Sequence, residues 1–352
     1  MLTKIWTVDK TVENLYTYPQ IIEAAEVLQK NEVVAFPTET VYGLGANALS
    51  DEAVNKIYEA KGRPSDNPLI VHISKMEDVD KYAEEIPEQA KKLMNAFWPG
   101  PLTVILKVKQ GILSNKVTAG LPTVGIRMPN HPVALALIEA SGLPIAAPSA
   151  NLSGKPSPTK FQHVYKDLNG KIAGIVDGGE TGVGVESTVI DCTEPIPVIL
   201  RPGGTTREEI EGIIGSVGMD RQVKEEVEKP KSPGMKYTHY APAAPMYLVD
   251  GSSAFLQETV DSMRKIGKRV GILTTDERVN TYQADLVVSC GQREQLSTVA
   301  HHLYDALRQF DQEEIDMIYG EVFPREGIGV AIMNRLLKAA GHRIIKEHNS
   351  NR

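Results

Sequence analysis

The sequence is poor in cysteine: Cys192 and Cys290 are alone among 352 residues, and no C-x-x-C pair occurs. That pattern excludes a cysteine zinc site and a disulfide framework, and points to a reducing, cytoplasmic setting. No apolar run reaches 18 residues, and Lys4, Trp6, Asp9 and Lys10 break up any signal-peptide core, so neither a membrane span nor a secretory leader is expected. Positive charge is not in excess. With 38 Lys and Arg against 45 Asp and Glu, the net charge of -7 argues against a broad nucleic-acid-binding face, although a local cationic pocket remains compatible with it. The common phosphate loops are missing too: no glycine begins G-x-x-x-x-G-K-[ST], and no G-x-G-x-x-G follows a strand pattern. There is no internal repeat or low-complexity tract.

What remains is ordinary for a folded globular protein, with 41% hydrophobic and 24% charged residues. The length exceeds a single typical core, so two domains are expected. The most informative segment is Phe36 to Gly45, FPTETVYGLG, where the apolar run Val33 to Phe36 stops at Pro37 and hydroxyl-rich residues lead to Val41, Tyr42 and Leu44. This reads as strand, functional loop, strand. A helix follows over Ser50 to Ala60, with Ser50 as N-cap, Ala53, Val54, Ile57 and Tyr58 on one face, and Gly62 just past its end. Lys61 and Arg63 leave that helix together. As a planar fork and a mobile point charge they could hold a polyphosphate, or they could simply complement the helix dipole at the surface. Pro144 to Asn151 and Ser153 to Thr159 are further strand-end segments of small and hydroxyl residues able to ring an anion.

The motifs FPTETVYGLG, AKGRPSDNPLIVHI, TVGIRMPNHP, APSANLSGKPSPT, GVESTVID and ILRPGG, in that order, resemble the threonylcarbamoyl-AMP synthase family, whose core is a YrdC-like domain. The resemblance covers about residues 15 to 215, and SPGMKYTHYAP, Ser232 to Pro242, is similar to the linker of the long two-domain form. It implies an enzyme that joins L-threonine, bicarbonate and ATP into threonylcarbamoyl-AMP and pyrophosphate, with magnesium (Mg2+) on the phosphates. The product would pass to tRNA threonylcarbamoyl transferase proteins for tRNA modification, with no direct tRNA binding required. The family's Lys, Arg, Ser and Asn signature falls on Lys61, Arg63, Ser149 and Asn151. Its other ATP contacts fall on Asn67, Thr123, Ser157 and Arg201, with Tyr240 chosen from the linker over Tyr237 and His239. Its threonine contacts fall on Thr40, His72, Arg127, Ala147 and Ser187. Two other readings stand beside it, a carbamoyl-adenylate-forming transferase and a non-enzymatic module for double-stranded RNA.

No paired-carboxylate motif nominates a metal ligand, and Asp177 and Glu186, flanking the glycine-rich Gly178 to Gly184, read better as turn formers. The expected layout is a YrdC-like domain with a mixed, twisted sheet over residues 1–215, a linker and active-site lid over 216–245, and a smaller Rossmann-like parallel α/β domain over 246–345. In the last, apolar runs at Met246 to Val249, Val270 to Leu273, Leu286 to Val288 and Met317 to Tyr319 alternate with helical stretches near Ala254 to Ile266, Leu296 to Phe310 and Ile328 to Ala340.

Overall fold

A computed structural model describes residues 2–65, 67–220 and 239–347. Most of the expected linker, including Tyr237, lies outside the described residues. Of those described, residues up to 153 and from 157 to 220 make one compact unit, and Gly154–Pro156 with 239–347 make another.

The first unit runs β1 (Lys4–Thr7), α1 (Pro19–Gln29), β2 (Val34–Phe36), β3 (Gly43–Asn47), α2 (Asp51–Lys61), β4 (Ile70–His72), α3 (Val79–Tyr82), α4 (Glu88–Phe97), β5 (Leu102–Lys107) and α5 (Asn115–Thr118). It continues with β6 (Thr123–Arg127), α6 (Pro132–Ser141), β7 (Ile145–Ala146), α7 (Phe161–Leu168), β8 (Gly174–Asp177), β9 (Thr188–Asp191), β10 (Val198–Arg201), α8 (Arg207–Ile214) and β11 (Gly218–Met219). The strands form one 11-stranded sheet in the order β1-β8-β2-β3-β7-β4-β6-β5-β9-β10-β11. Its pairings are mixed: β4 is parallel to β6 but antiparallel to β7, and β5 is antiparallel to β6 but parallel to β9.

Side chains alternate between the faces of a strand, so each face has its own core. On one face Leu44, Val71, Val104, Val124, Ile126 and Ile190 pack with Ile57 of α2, Leu93 of α4, Leu168 of α7 and Ile210 of α8. On the other, Val34, Phe36, Ile145 and Val176 pack with Ile21 and Leu28 of α1 and Leu137 of α6. Farther along that second face, at β4, β5 and β9, the buried cluster shrinks to Ile70, Ile105 and Val189, with no helical residue among them. This short apolar floor is where the polar residues gather.

The second unit contains β12 (Met246–Asp250), α9 (Ser253–Lys265), β13 (Val270–Thr274), β14 (Leu286–Ser289), α10 (Leu296–Gln309), β15 (Met317–Glu321), α11 (Gly329–Ala339) and β16 (Ile344–Lys346). Its five strands pair in the order β14-β13-β15-β12-β16, parallel throughout. At the start of α11 the glycine at 329 answers a packing need, since a Cβ there would lie 2.1 Å from the carbonyl oxygen of Pro324. No helix among the described residues is long and apolar enough to cross a membrane.

Candidate active site

The loop after β2 is folded by its own hydroxyls. Thr38 Oγ1 donates to the carbonyl of Val41 at 2.7 Å and accepts from the amides of Thr40 and Val41 at 3.2 and 3.3 Å. With its one proton spent, Thr38 accepts from the Thr40 hydroxyl at 2.8 Å, and Thr40 Oγ1 in turn accepts from Arg127 Nη1 at 3.0 Å. The glycine-rich stretch fastens the same loop: Gly182 and Val183 donate their amides to the carbonyl of Glu39 at 3.0 and 2.7 Å, and Gly184 donates to that of Thr40 at 3.1 Å.

Arg127 ends β6 beside His72, its register partner on β4. Both are buried, and strand alternation places them on the face of Ile70, together with Thr123 at the start of β6. The Arg127 Nε donates to the carbonyl of Gly100 at 3.3 Å, and Nη2 lies 2.7 Å from Glu39 Oε2. His72 Nδ1 is 3.2 Å from the carbonyl of Ile70, and burial, aided by the positive charge of Arg127, pushes its pKa down to about 3. The ring is therefore neutral near pH 7. Ala147 donates its amide to the carbonyl of Ile70 at 2.9 Å, which brings the end of β7 to the same floor.

Ser187 stands at the entrance to β9. Its hydroxyl is 2.8 Å from that of Thr103 on β5 and accepts from Arg201 Nη2 at 3.2 Å, while its carbonyl accepts from both Nε and Nη2 of Arg201 at 3.2 and 2.9 Å. Arg201, expected at ATP, is thus tied to a residue expected at threonine. The following Gly203 allows this approach, because a Cβ there would sit 2.3 Å from the Glu186 carbonyl oxygen and 2.4 Å from the Ser187 carbonyl carbon.

Lys61 is neither a mobile point charge nor a surface partner of the helix dipole, the two alternatives its sequence left open. It is only 4% exposed, and its Nζ donates to the carbonyls of Ser149 and Asn151 at 2.5 and 2.6 Å. The reason is the end of α2, where Gly62 in the left-handed region turns the chain and Lys61 folds back against the loop after β7. Arg63 follows in that turn, its amide bonded to the carbonyl of Tyr58 at 3.0 Å. Asn67 is fully buried, and among the described residues neither atom of its side-chain amide has a hydrogen-bond partner. Burying such a group unpaired costs about 1–3 kcal/mol, so the position suits a ligand that supplies the missing bonds. Ser157 is fully buried and donates to Glu186 Oε1 at 2.5 Å.

Tyr240 belongs to the other unit, where it is buried at φ 65° with its ring 5.3 Å from that of Tyr304 and 5.5 Å from the Arg335 guanidinium. Among the described residues no group of three or more His, Cys, Asp and Glu is arranged to hold a metal ion. Asp177 forms a turn, its Oδ1 accepting from the amide of Gly179 at 3.1 Å. Both thiols are buried, which pushes each up to about 12.

Sequence reasoning did not single out Glu39 or Thr103 and took Glu186 for a turn residue, yet all three contact expected site residues. For Glu39 the available signal was its position between Thr38 and Thr40 in the functional loop.

Two family profiles cover the chain: Sua5_yciO_yrdC, described as telomere recombination, over residues 26–203, and threonylcarbamoyl-AMP synthase, C-terminal domain, over 205–341. The chain is 61% identical to threonylcarbamoyl-AMP synthase of Bacillus subtilis (strain 168) over 346 residues, 98% of this chain and 100% of that one. It is 50% identical to threonylcarbamoyl-AMP synthase of Pyrococcus abyssi (strain GE5 / Orsay), across 92% of this chain and 94% of the relative. The crystal structure of P. abyssi Sua5 complexed with L-threonine superposes with a TM-score of 0.92 at 48% identity, covering 98% of this chain and 100% of the other. On these grounds the chain belongs to the threonylcarbamoyl-AMP synthase family, in the form that joins a Sua5/YciO/YrdC domain to a C-terminal Sua5 domain.

Proposed function

We propose that this chain condenses L-threonine, bicarbonate and ATP into threonylcarbamoyl-AMP and pyrophosphate. The observation that carries the reading is the grouping of Arg127, His72, Thr40, Ser187 and Arg201 around one short apolar floor of the sheet. Threonine's amine, as the free base, takes up the one-carbon unit to give a carbamate, with loss of water from bicarbonate or of a proton on addition to carbon dioxide. A carbamate oxygen then attacks the α-phosphorus of ATP, and pyrophosphate leaves. No covalent protein nucleophile is needed, and the buried, protonated thiols supply none. Rate enhancement then comes from holding two anions in line and from fixed positive charge at the phosphates.

In this assignment Arg127 holds the threonine carboxylate, with Thr40, Ser187 and the main chain at Ala147 around it and the neutral imidazole of His72 beside the side-chain hydroxyl. Arg63 and Arg201 face the phosphates, and Asn67, Thr123, Ser149 and Ser157 surround the nucleotide, with Asn151 and the loop held by Lys61. Tyr240 is assigned to the nucleotide as well. Mg2+ bound together with ATP would supply positive charge to offset that of the phosphates, a role that asks for few protein ligands and is compatible with the lack of a carboxylate cluster among the described residues. In this reading the product is the donor for a tRNA threonylcarbamoyl transferase, and the protein works in the cytoplasm. The test is mass detection of threonylcarbamoyl-AMP made by the purified protein, with Arg63→Ala as control. Product from the wild type and its near loss in the variant support the reading, and its absence from the wild type would refute it.

A further inference from the structure

Glu39 and Arg127 form a buried pair whose hydrogen-bonding capacity is largely unspent. Their side chains are 12% and 5% exposed, and Nη2 lies 2.7 Å from Oε2, yet the contact lacks the alignment of a hydrogen bond. Of the five donors on the guanidinium, one goes to Gly100 and one to Thr40, and both hydrogens of Nη2 are left over. Among the described residues both oxygens of Glu39 are likewise buried without a hydrogen-bond partner, Oε2 having only the ion-pair contact to Arg127. The main chain at Glu39 cannot drift, because its carbonyl receives two amides from the glycine-rich stretch. Adjacent unsatisfied donors and acceptors of opposite charge match a ligand that carries both charges a few ångströms apart. An α-amino acid zwitterion is such a ligand.

We infer that Glu39 is a specificity-determining residue that accepts the α-amino group of the substrate while Arg127 takes its carboxylate. This rests on the reading of the site as one for L-threonine. Glu39 would thereby select α-amino acids over α-hydroxy acids of the same shape.

The experiment measures calorimetric binding of L-threonine and of 2,3-dihydroxybutanoate, in which a hydroxyl replaces the amine, to the full chain and to Glu39→Gln. The wild type should prefer threonine by at least about 10-fold, the order expected of a charge-assisted hydrogen bond. In the variant threonine should weaken about 10- to 100-fold while the hydroxy acid changes less than about 3-fold, with ATP binding and melting temperature kept as the check on folding. Equal weakening of both ligands would mean that Glu39 acts only by steadying Arg127, and would overturn the inference. So would equal affinity of the wild type for the two ligands, a result that needs no variant. If the wild type bound the hydroxy acid but not threonine, the threonine reading itself would fall.

Discussion

The Nζ of Lys61 lies 2.6 Å from the carbonyl oxygen of Asn151, ninety residues along the chain, and the amide of Ser153 returns a 3.0 Å bond to the carbonyl of Lys61. The last residue of α2 therefore holds the loop after β7 by side chain and main chain at once. Lys61→Met keeps the length and removes the charge, leaving the carbonyls of Ser149 and Asn151 without their donor. Each buried unpaired group costs about 1–3 kcal/mol, so a loss of about 2–5 kcal/mol in urea unfolding is expected, together with loss of nucleotide turnover. A variant within about 0.5 kcal/mol of wild type would show that the lysine does not anchor this loop.

Arg127→Lys should separate the two substrates. A point charge cannot reproduce the planar fork that spans Gly100 and Thr40, so about 2 kcal/mol of threonine recognition, or about 30-fold in its KM, should be lost with the KM for ATP nearly constant. Steady-state kinetics with each substrate varied in turn provides the check, and a change confined to ATP would reverse the division of the pocket.

Two glycines give a matched pair. A Cβ at Gly203 would meet main-chain atoms of Glu186, Ser187 and Thr188 at 2.3–2.4 Å, whereas one at Gly212, inside α8, meets nothing within 4 Å. Gly203→Ala should cost about 2–4 kcal/mol and reduce activity, because the backbone must move at Ser187. Gly212→Ala should be neutral or add up to about 1 kcal/mol from helix propensity. Thermal melts of both proteins decide, and similar melting temperatures would contradict the packing argument.

Acid should weaken the fold through two imidazoles. Burial and the charge of Arg127 hold His72 down to about 3; burial and the charge of Lys10, opposed by Glu39, hold His131 down to about 4; the ordinary value is 6.5. Below pH 6.5 the unfolded chain binds these protons and the folded chain does not, so the stabilisation is complete above 6.5 and is lost as pH falls toward 3 and 4. Each imidazole contributes about 1.4 kcal/mol per pH unit, or about 2 kcal/mol each by pH 5. His131→Asn should remove about 2 kcal/mol of the difference in stability between pH 7 and pH 5. Urea unfolding at the two pH values measures it, and an unchanged difference would mean that His131 titrates normally in the fold.

Local signals made much of this architecture legible. Ser50 does cap α2, accepting from the amide of Ala53 at 3.2 Å, and Gly62 ends the helix in the left-handed region, as their residue types announce. In the second unit the apolar runs became β12 to β15, but β16 escaped notice because Ile344 and Ile345 are its only apolar residues and both are half-buried. Partners across the sheet were harder to see. The carbonyls that hold Lys61 have no side-chain signature, and the insertion of β8 between β1 and β2 rests on main-chain pairing alone. Glu39 carries a charge like 44 other Asp and Glu residues in the chain, and its place between Thr38 and Thr40 does not by itself announce its burial against Arg127.

The central claim is most directly tested by pyrophosphate release from the purified protein with ATP and Mg2+, omitting L-threonine and bicarbonate one at a time. Release that requires both is the predicted result. Release that continues without threonine would contradict the account and favour carbamoyl-adenylate chemistry at this site.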